Sequence, residues 1–326
     1  MGEFAARLGT RFLVVTVVPN ILLIGYISFL VAAGAPAHSP SLAQALQGLD
    51  DLTFNRIVAI ILGALVISVA SHPLQMPLIQ LVEGYWGGLP LGPKLANRAT
   101  KRFQREWSRA QADSRRTRTV PPGDWATKNI RSAAQLRLDW LPEREEDLRP
   151  TALGNTLWRG ETRAGQRYGL ELAVAWPRLI PSLTPDVLAE LNDRRNQLDA
   201  AVRLCVTSGI ATAASIGLLL WHGPWLFLAL ATYLLCWACY RAAIAAARGF
   251  STSLAAAVDL YHLQLFDALS LDRPVDITQE RKLNAVLTKL FRGVVLGKQG
   301  ESMIHYAPPK IDNTAESGTK LSPGQQ

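Results

Sequence analysis

Cysteine is scarce in this chain, and so is every residue pattern that carries familiar chemistry. Only Cys205, Cys236 and Cys239 occur in 326 residues. All three fall in apolar stretches, which excludes an extracellular disulfide framework. Cys236 and Cys239 spell C-x-x-C, but a redox pair needs a helix N-terminus and solvent to lower its thiol pKa. In the middle of an apolar stretch they read as small packing residues. The five histidines, His38, His72, His222, His262 and His305, are too scattered to form a local metal site. There is no H-E-x-x-H, G-x-S-x-G or G-x-G-x-x-G. Gly293 to Gln299 reads G-V-V-L-G-K-Q, one residue short between its glycines for a phosphate-binding loop and with Gln299 where a magnesium-holding hydroxyl is needed. These absences leave no catalytic residue, no metal site and no cofactor to assign, and enzymatic activity is unsupported.

Charge is the second thing in short supply. Four stretches, 12–33, 56–82, 203–221 and 225–247, are long, apolar and poor in charged residues. A hydrocarbon core of about 30 Å takes roughly 20 apolar residues as a helix, and a helix satisfies its own backbone groups there. The expected fold is therefore an all-α integral membrane protein with four transmembrane helices and a mainly helical cytoplasmic domain. Residues 34–55 carry Asp50, Asp51 and His38 but no Lys or Arg, whereas Lys and Arg concentrate in 1–11, 83–202 and the tail. The positive-inside rule then places both termini and the centre in the cytoplasm of a plasma-membrane protein. Residues 34–55 form an outer loop and 222–224 a tight outer turn flanked by Trp221 and Trp225. Arg7 and Arg11 before the first stretch, with Ala35, Pro36 and Ala37 after it, imitate a cleavable signal. That stretch exceeds the roughly 7–15 residues of a signal core, so it is read as a retained span.

What is abundant is positive charge, with a formal net of +8. Its densest run holds Lys94, Arg98, Lys101, Arg102, Arg105, Arg109, Arg115, Arg116 and Arg118 against only Glu106 and Asp113. Ala96, Ala99, Phe103, Trp107 and Ala110 recur at steps of three or four, so this run reads as a basic amphipathic helix. Lys and Arg just beyond a span point to anionic headgroups, at about 1 kcal/mol each near the surface. Nucleic acid is the disfavoured rival partner. Glu143, Glu145, Glu146 and Asp147 form an acidic patch expected to pair with the basic helix.

The second span is interrupted by His72, Pro73, Gln75, Pro77, Gln80 and Glu83, which predicts a kink. Intramembrane polar groups mark a candidate site, here His72, Gln75, Gln80 and Glu83. Thr184, Pro185 and Asp186 start a helix that meets no breaker before Gly223. Such a helix is expected to form an antiparallel stalk with the basic helix. Trp125 to Trp140 reads as a further helix, and Asp276 with Gln279 as a capping box for one ending near Phe291. Residues 248–299 are expected to be a helical tail and 300–326 to be disordered.

Two segments are more particular than composition requires, L-V-E-G-Y-W-G at Leu81 to Gly87 and G-N-T-L-W-R-G-E-T-R-A-G-Q-R-Y-G-L-E-L-A-V-A-W-P-R-L at Gly154 to Leu179. In their E-G-Y-W-G, Y-G-L and W-P-R-L elements the chain resembles a group of uncharacterised integral membrane proteins of actinobacteria. The resemblance implies a bacterial membrane protein and no activity. Trp158, Tyr168, Trp176 and Arg178 are a candidate interaction face, read first as the core of a small domain with arginine on its rim. The functional expectation is a non-enzymatic multi-pass protein whose cytoplasmic domain recruits or senses a partner. The expected partners are anionic membrane lipids and a cytoplasmic protein, and a homo-oligomer is compatible with both. The rivals are an oligomeric channel or transporter using the kinked span, and a lipid-modifying enzyme built from His72, Glu83 or His262.

Overall fold

The computed structural model describes residues 17–35, 37–41, 43–44, 54–118 and 125–307. Among them the regular structure is helical, with one isolated antiparallel bridge between Leu271 and Tyr306. The helices are α1 (Val18–Ala32), α2 (Phe54–Ser71), α3 (Gln75–Glu83), α4 (Gly92–Arg118), α5 (Trp125–Leu138) and α6 (Ala152–Gln166). They continue as α7 (Leu172–Leu179), α8 (Pro185–Leu219), α9 (Phe227–Tyr261), α10 (Gln264–Ala268), α11 (Ile277–Phe291) and α12 (Lys298–Glu301). The chain divides into two compact units, Met1–Ala164 with Thr184–Ala257, and Gly165–Leu183 with Val258–Gln326. Residues 12–16, the acidic loop at 45–53, the turn at 119–124 and the tail from 308 lie outside the described residues.

In the first unit, α8 and the helix through Gly223–Tyr261 are each long and apolar enough to cross a membrane. A buried core helix would pass the same test. These two do not resemble one, because only 39% and 17% of their apolar windows are covered by protein. Phe227, Leu230, Tyr233, Leu234 and Leu235 all stand more than half exposed on α9, an apolar surface that water would penalise. α1 is shorter and apolar, and packs against both α8 and α2. Leu30, Ala35 and Leu219 form its buried contact, with Tyr26, Trp225 and Leu228 around them. Two polar bonds tie these apolar helices together. Tyr26 Oη lies 2.7 Å from Ser215 Oγ, and Asn20 donates to Ser68 Oγ at 2.9 Å.

The expected kink is present. α2 stops at Ser71, a 3₁₀ turn spans His72–Leu74, and α3 resumes at Gln75, because Pro73 and Pro77 each remove a backbone donor. The long helix also forms, from Pro185 with Thr184 in extended conformation before it, although the Thr184 hydroxyl makes no capping bond. Its expected partner is different. The basic helix α4 packs along α5, whereas α8 packs on α1 and α3, so no α4–α8 stalk forms to a comparable extent among the described residues. An apolar stripe must be covered but does not name its cover, and α5, only a short connection away, supplies it.

The second unit is built on Phe266, Leu271, Leu283 and Leu287, with Leu263, Leu269, Phe291 and Ile304 packed against them. Asp276 caps α11 as expected, accepting from the Thr278 and Gln279 amides at 2.7 and 2.8 Å. Gln279 reaches back to the Val275 amide at 2.8 Å. The expectation of disorder from Gly300 is corrected as far as Ala307. Asp272 N donates to His305 O and Ala307 N to Ser270 O, and Ile304 joins the apolar cluster. One well-placed isoleucine with two backbone bonds offsets the polar composition of that segment.

Candidate functional site

The L-V-E-G-Y-W-G segment is a docking element. α3 ends at Glu83 because Gly84 takes a left-handed φ of +98°, and the amides of Gly84 and Tyr85 turn back onto Gln80 O, a closure that glycine permits without strain. The exposed Glu83 carbonyl then accepts from Thr151 Oγ1 at 2.7 Å. Thr151 in turn accepts from Gly154 N at 3.0 Å and so caps α6. A Cβ on Gly154 would stand 2.1 Å from Glu83 O, and one on Gly160 would stand 2.0 Å from Ser251 Oγ. Asn155, 1% exposed, closes the junction, donating to Arg149 O at 3.0 Å and accepting from Arg149 N at 2.7 Å. Arg149 is thereby held over the rings of Tyr85 and Trp158, 5.0 and 4.5 Å from their centroids.

Beside this junction lies a cleft of about 1330 Å³, bounded by α4, α5, the start of α6 and one face of α9. It exceeds the roughly 300–1,000 Å³ typical of ligand pockets. On α9 the lining residues are Trp237, Tyr240, Arg241, Ile244 and Arg248, whose steps of three, four and seven put them on one helical face. Tyr240 Oη accepts from the Ala152 and Leu153 amides at 3.1 and 3.4 Å, so α9 fixes the N-terminus of α6. The α4 wall supplies Arg98, Lys101, Arg102 and Arg105, and α5 adds Arg137. Arg248 lies 5.2 Å over Trp140, another lining residue. Glu106 is the sole carboxylate among the lining residues. Among the described residues, Arg98, Lys101, Arg102, Arg105 and Arg137 enter no ion pair. Unpaired cations on facing walls make the cleft a receptor for negative charge.

The structure thus divides the basic run. Arg98, Lys101, Arg102 and Arg105 converge, and Arg109 lines a smaller recess with Arg102, Glu106 and Arg137. Lys94, Arg115 and Arg116 lie outside the cleft lining, and the Arg118 side chain falls outside the described residues. Sequence reasoning missed Arg137 as a partner of this set, together with the Arg241 and Arg248 wall. The signal available was the i, i+7 spacing of Arg241 and Arg248 at the end of an apolar stretch. The acidic patch, expected to pair with the basic helix, pairs with arginines outside that helix. Glu143 pairs with Arg159 at 2.8 Å and Glu146 with Arg144 at 3.4 Å. The basic helix reaches this loop through the Trp107 indole instead, which donates to Pro142 O at 3.0 Å.

The candidate intramembrane polar set is not assembled by the described residues. The side chains of His72 and Gln75 lie outside them, and Gln80 is exposed. Glu83 joins a separate charge cluster with Glu161, Arg149, Arg195 and Asp199. Its carboxyl is pushed above the usual range first by burial and then by Glu161, against the pull of Arg195 and Arg149. Burial likewise raises Glu161, opposed by Arg195 and Arg149. Glu161 keeps accessible surface while protein crowds around it, as a carboxyl in a recess does. Because both folded-state values are raised, the native protein binds more protons than the unfolded chain above the ordinary carboxylate value of about 4.3. Stability from this pair therefore falls as pH rises through that window. Thermal midpoints of wild type are expected to drop as pH rises above the ordinary carboxylate range, and to drop less in the Glu83→Gln/Glu161→Gln variant. Equal drops would contradict the assignment.

The candidate interaction face is split. Trp158 belongs to the first unit, under Arg149, whereas Tyr168, Trp176 and Arg178 belong to the second. There Tyr168 stacks on His262 with ring centroids 3.9 Å apart and donates to Asp259 at 2.9 Å, and His262 Nδ1 lies 2.6 Å from Glu280. Asn284 holds the Tyr168 carbonyl, and Arg178 lies over Phe291. Y-G-L is therefore the turn of a small folded unit, with Gly169 at φ +69°, where a Cβ would stand 2.9 Å from Arg281 O. Of the three residues named for an enzyme, Glu83 belongs to the first unit and His262 to the second, and the His72 side chain lies outside the described residues. The geometry has to stand by itself, because no known protein family, curated protein or solved structure matches this chain.

Proposed function

We propose that this chain is a non-enzymatic, multi-pass membrane protein that senses anionic lipid at the cytoplasmic surface through the basic cleft. The reading places spans at 12–33, 56–82, 203–221 and 225–247 and both termini in the cytoplasm. One observation carries it: five cations that enter no ion pair among the described residues meet in a single cleft whose fourth wall is an apolar, exposed helix long enough to span a bilayer. A cytoplasmic protein or nucleic acid would need the charge but not that wall. The resemblance to actinobacterial membrane proteins agrees with the class and adds no activity.

The test compares the full-length protein in nanodiscs of zwitterionic lipid with nanodiscs containing phosphatidylglycerol. A ligand at about 100 times its Kd stabilises by roughly 2.7 kcal/mol, which for a chain of this size raises the midpoint by roughly 4 °C. That rise is expected for wild type and not for Arg102→Glu/Arg105→Glu. Equal midpoints in the two lipid mixtures would overturn the reading. So would capture of a soluble protein that the charge reversal abolishes while the lipid effect persists.

A further inference from the structure

Lining on opposing walls, rather than on one outward face, separates a bounded site from a charged surface. From this we infer that the cleft is a site for a single phosphate-rich amphiphile, a lipid diphosphate, and not a docking patch for bulk anionic lipid. The inference rests on the lipid reading above and narrows it. A membrane-facing patch needs cations on one side only. Here Arg102 and Arg105 of α4 are opposed by Arg137 of α5 and by Arg241 and Arg248 of α9 around one cavity. A headgroup inside it is gripped from both sides.

The charge extends lengthwise as well. Arg241 and Arg248 are seven residues apart on one face of α9, about 10 Å at 1.5 Å per residue. Arg98 to Arg105 covers the same rise on α4. A phosphodiester brings one negative charge to that array. It would leave most of the positive charge uncompensated, since Glu106 is the one lining carboxylate. A diphosphate carries more negative charge than a phosphodiester and compensates more of it. Arg is suited to both phosphoryl groups, because its planar fork binds phosphate oxygens two at a time.

The remaining lining decides between a lipid and a soluble diphosphate. Trp237 is 56% exposed, one turn before Tyr240 on the apolar half of α9, and Leu95 and Leu136 are also exposed and line the cleft. From Trp237 to Arg248 the wall runs about 16 Å, from apolar at one end to cationic at the other. That gradient fits a ligand with a hydrocarbon tail and a charged head. A nucleotide or inorganic diphosphate would leave the apolar end in contact with nothing.

The experiment titrates the full-length protein in neutral detergent with three probes, geranylgeranyl diphosphate, inorganic pyrophosphate and phosphatidylglycerol, reading binding by calorimetry. One equivalent of the isoprenyl diphosphate is expected to bind at least about tenfold tighter than either rival, a difference of about 1.4 kcal/mol. Arg102→Gln/Arg241→Gln, one substitution from each wall, is expected to lose at least about tenfold in that affinity. Lys94→Gln/Arg115→Gln, outside the cleft, should match wild type. Single Arg105→Gln serves the same comparison if the double variant is not monodisperse. Phosphatidylglycerol binding as tightly as the diphosphate lipid overturns this inference and leaves the lipid reading standing. Pyrophosphate binding as tightly overturns the lipid source of the diphosphate. Binding of neither lipid overturns the inference and the reading together.

Discussion

Gly154→Ala is expected to lower the thermal midpoint of the detergent-solubilised protein by roughly 4–5 °C. A single methyl has this effect because of where it lands. The Cβ would sit 2.1 Å from the carbonyl oxygen of Glu83, and that oxygen already accepts from Thr151 Oγ1. A backbone atom cannot swing aside as a side-chain tip does, so α3 and α6 must separate. Overpacking of this kind costs typically 1–3 kcal/mol and sometimes more; taking about 3 kcal/mol, and about 1.5 °C per kcal/mol for a chain of this size, gives the stated range. The contrast is Gly63→Ala in α2, where nothing lies within 4 Å and the higher helix propensity of alanine, about 1 kcal/mol, favours the variant. Losses of similar size at both positions would show that the junction is not specific.

Asn155→Ala is the second large effect, at about 2–4 kcal/mol. The amide is 1% exposed and satisfies both backbone groups of Arg149. Its removal strands one donor and one acceptor, each at about 1–3 kcal/mol when buried. Arg149→Ala should cost only about 1 kcal/mol, since it removes the contacts over Tyr85 and Trp158 but leaves those backbone bonds intact. Urea melts of the three proteins distinguish the effects. A loss at Arg149 equal to that at Asn155 would mean that the guanidinium, and not the backbone clasp, holds the junction.

These two sites also mark how far the sequence could be read. Local signals carried well. Thr184 and Pro185 announced the start of α8, Asp276 and Gln279 the start of α11, and the prolines the break at His72–Leu74. Each depends on a few neighbouring residues and one local physical rule. Pairing between helices did not carry. Ala99, Phe103 and Ala110 showed that one side of α4 is covered, but whether by α5 or α8 depends on loop length and on what else competes for α8. E-G-Y-W-G and G-N-T-L-W-R-G were visibly unusual, yet Gly154 is explained by the Glu83 carbonyl, 71 residues away, and Gly160 by Ser251, 91 residues away. Sequence spacing has no access to those contacts.

The cleft lay at the same limit. Its α4 cations were legible as a cluster, because Lys and Arg are dense there. Arg137, Arg241 and Arg248 were legible singly, as a helix surface and as the end of an apolar stretch, and only folding sets them opposite Arg98, Arg102 and Arg105. The small second unit was underestimated for a related reason. Ile304 and the backbone bonds of 305–307 anchor a segment whose composition alone favours disorder.

Native mass spectrometry of the protein extracted from its host membrane in neutral detergent addresses the central claim most directly. If cations on facing walls form one bounded receptor for an anionic amphiphile, wild type carries a single co-purifying adduct of lipid mass. Arg102→Glu/Arg241→Glu, folded and monodisperse, carries none. A wild-type spectrum at the bare protein mass, or an adduct that survives the double charge reversal, would contradict it.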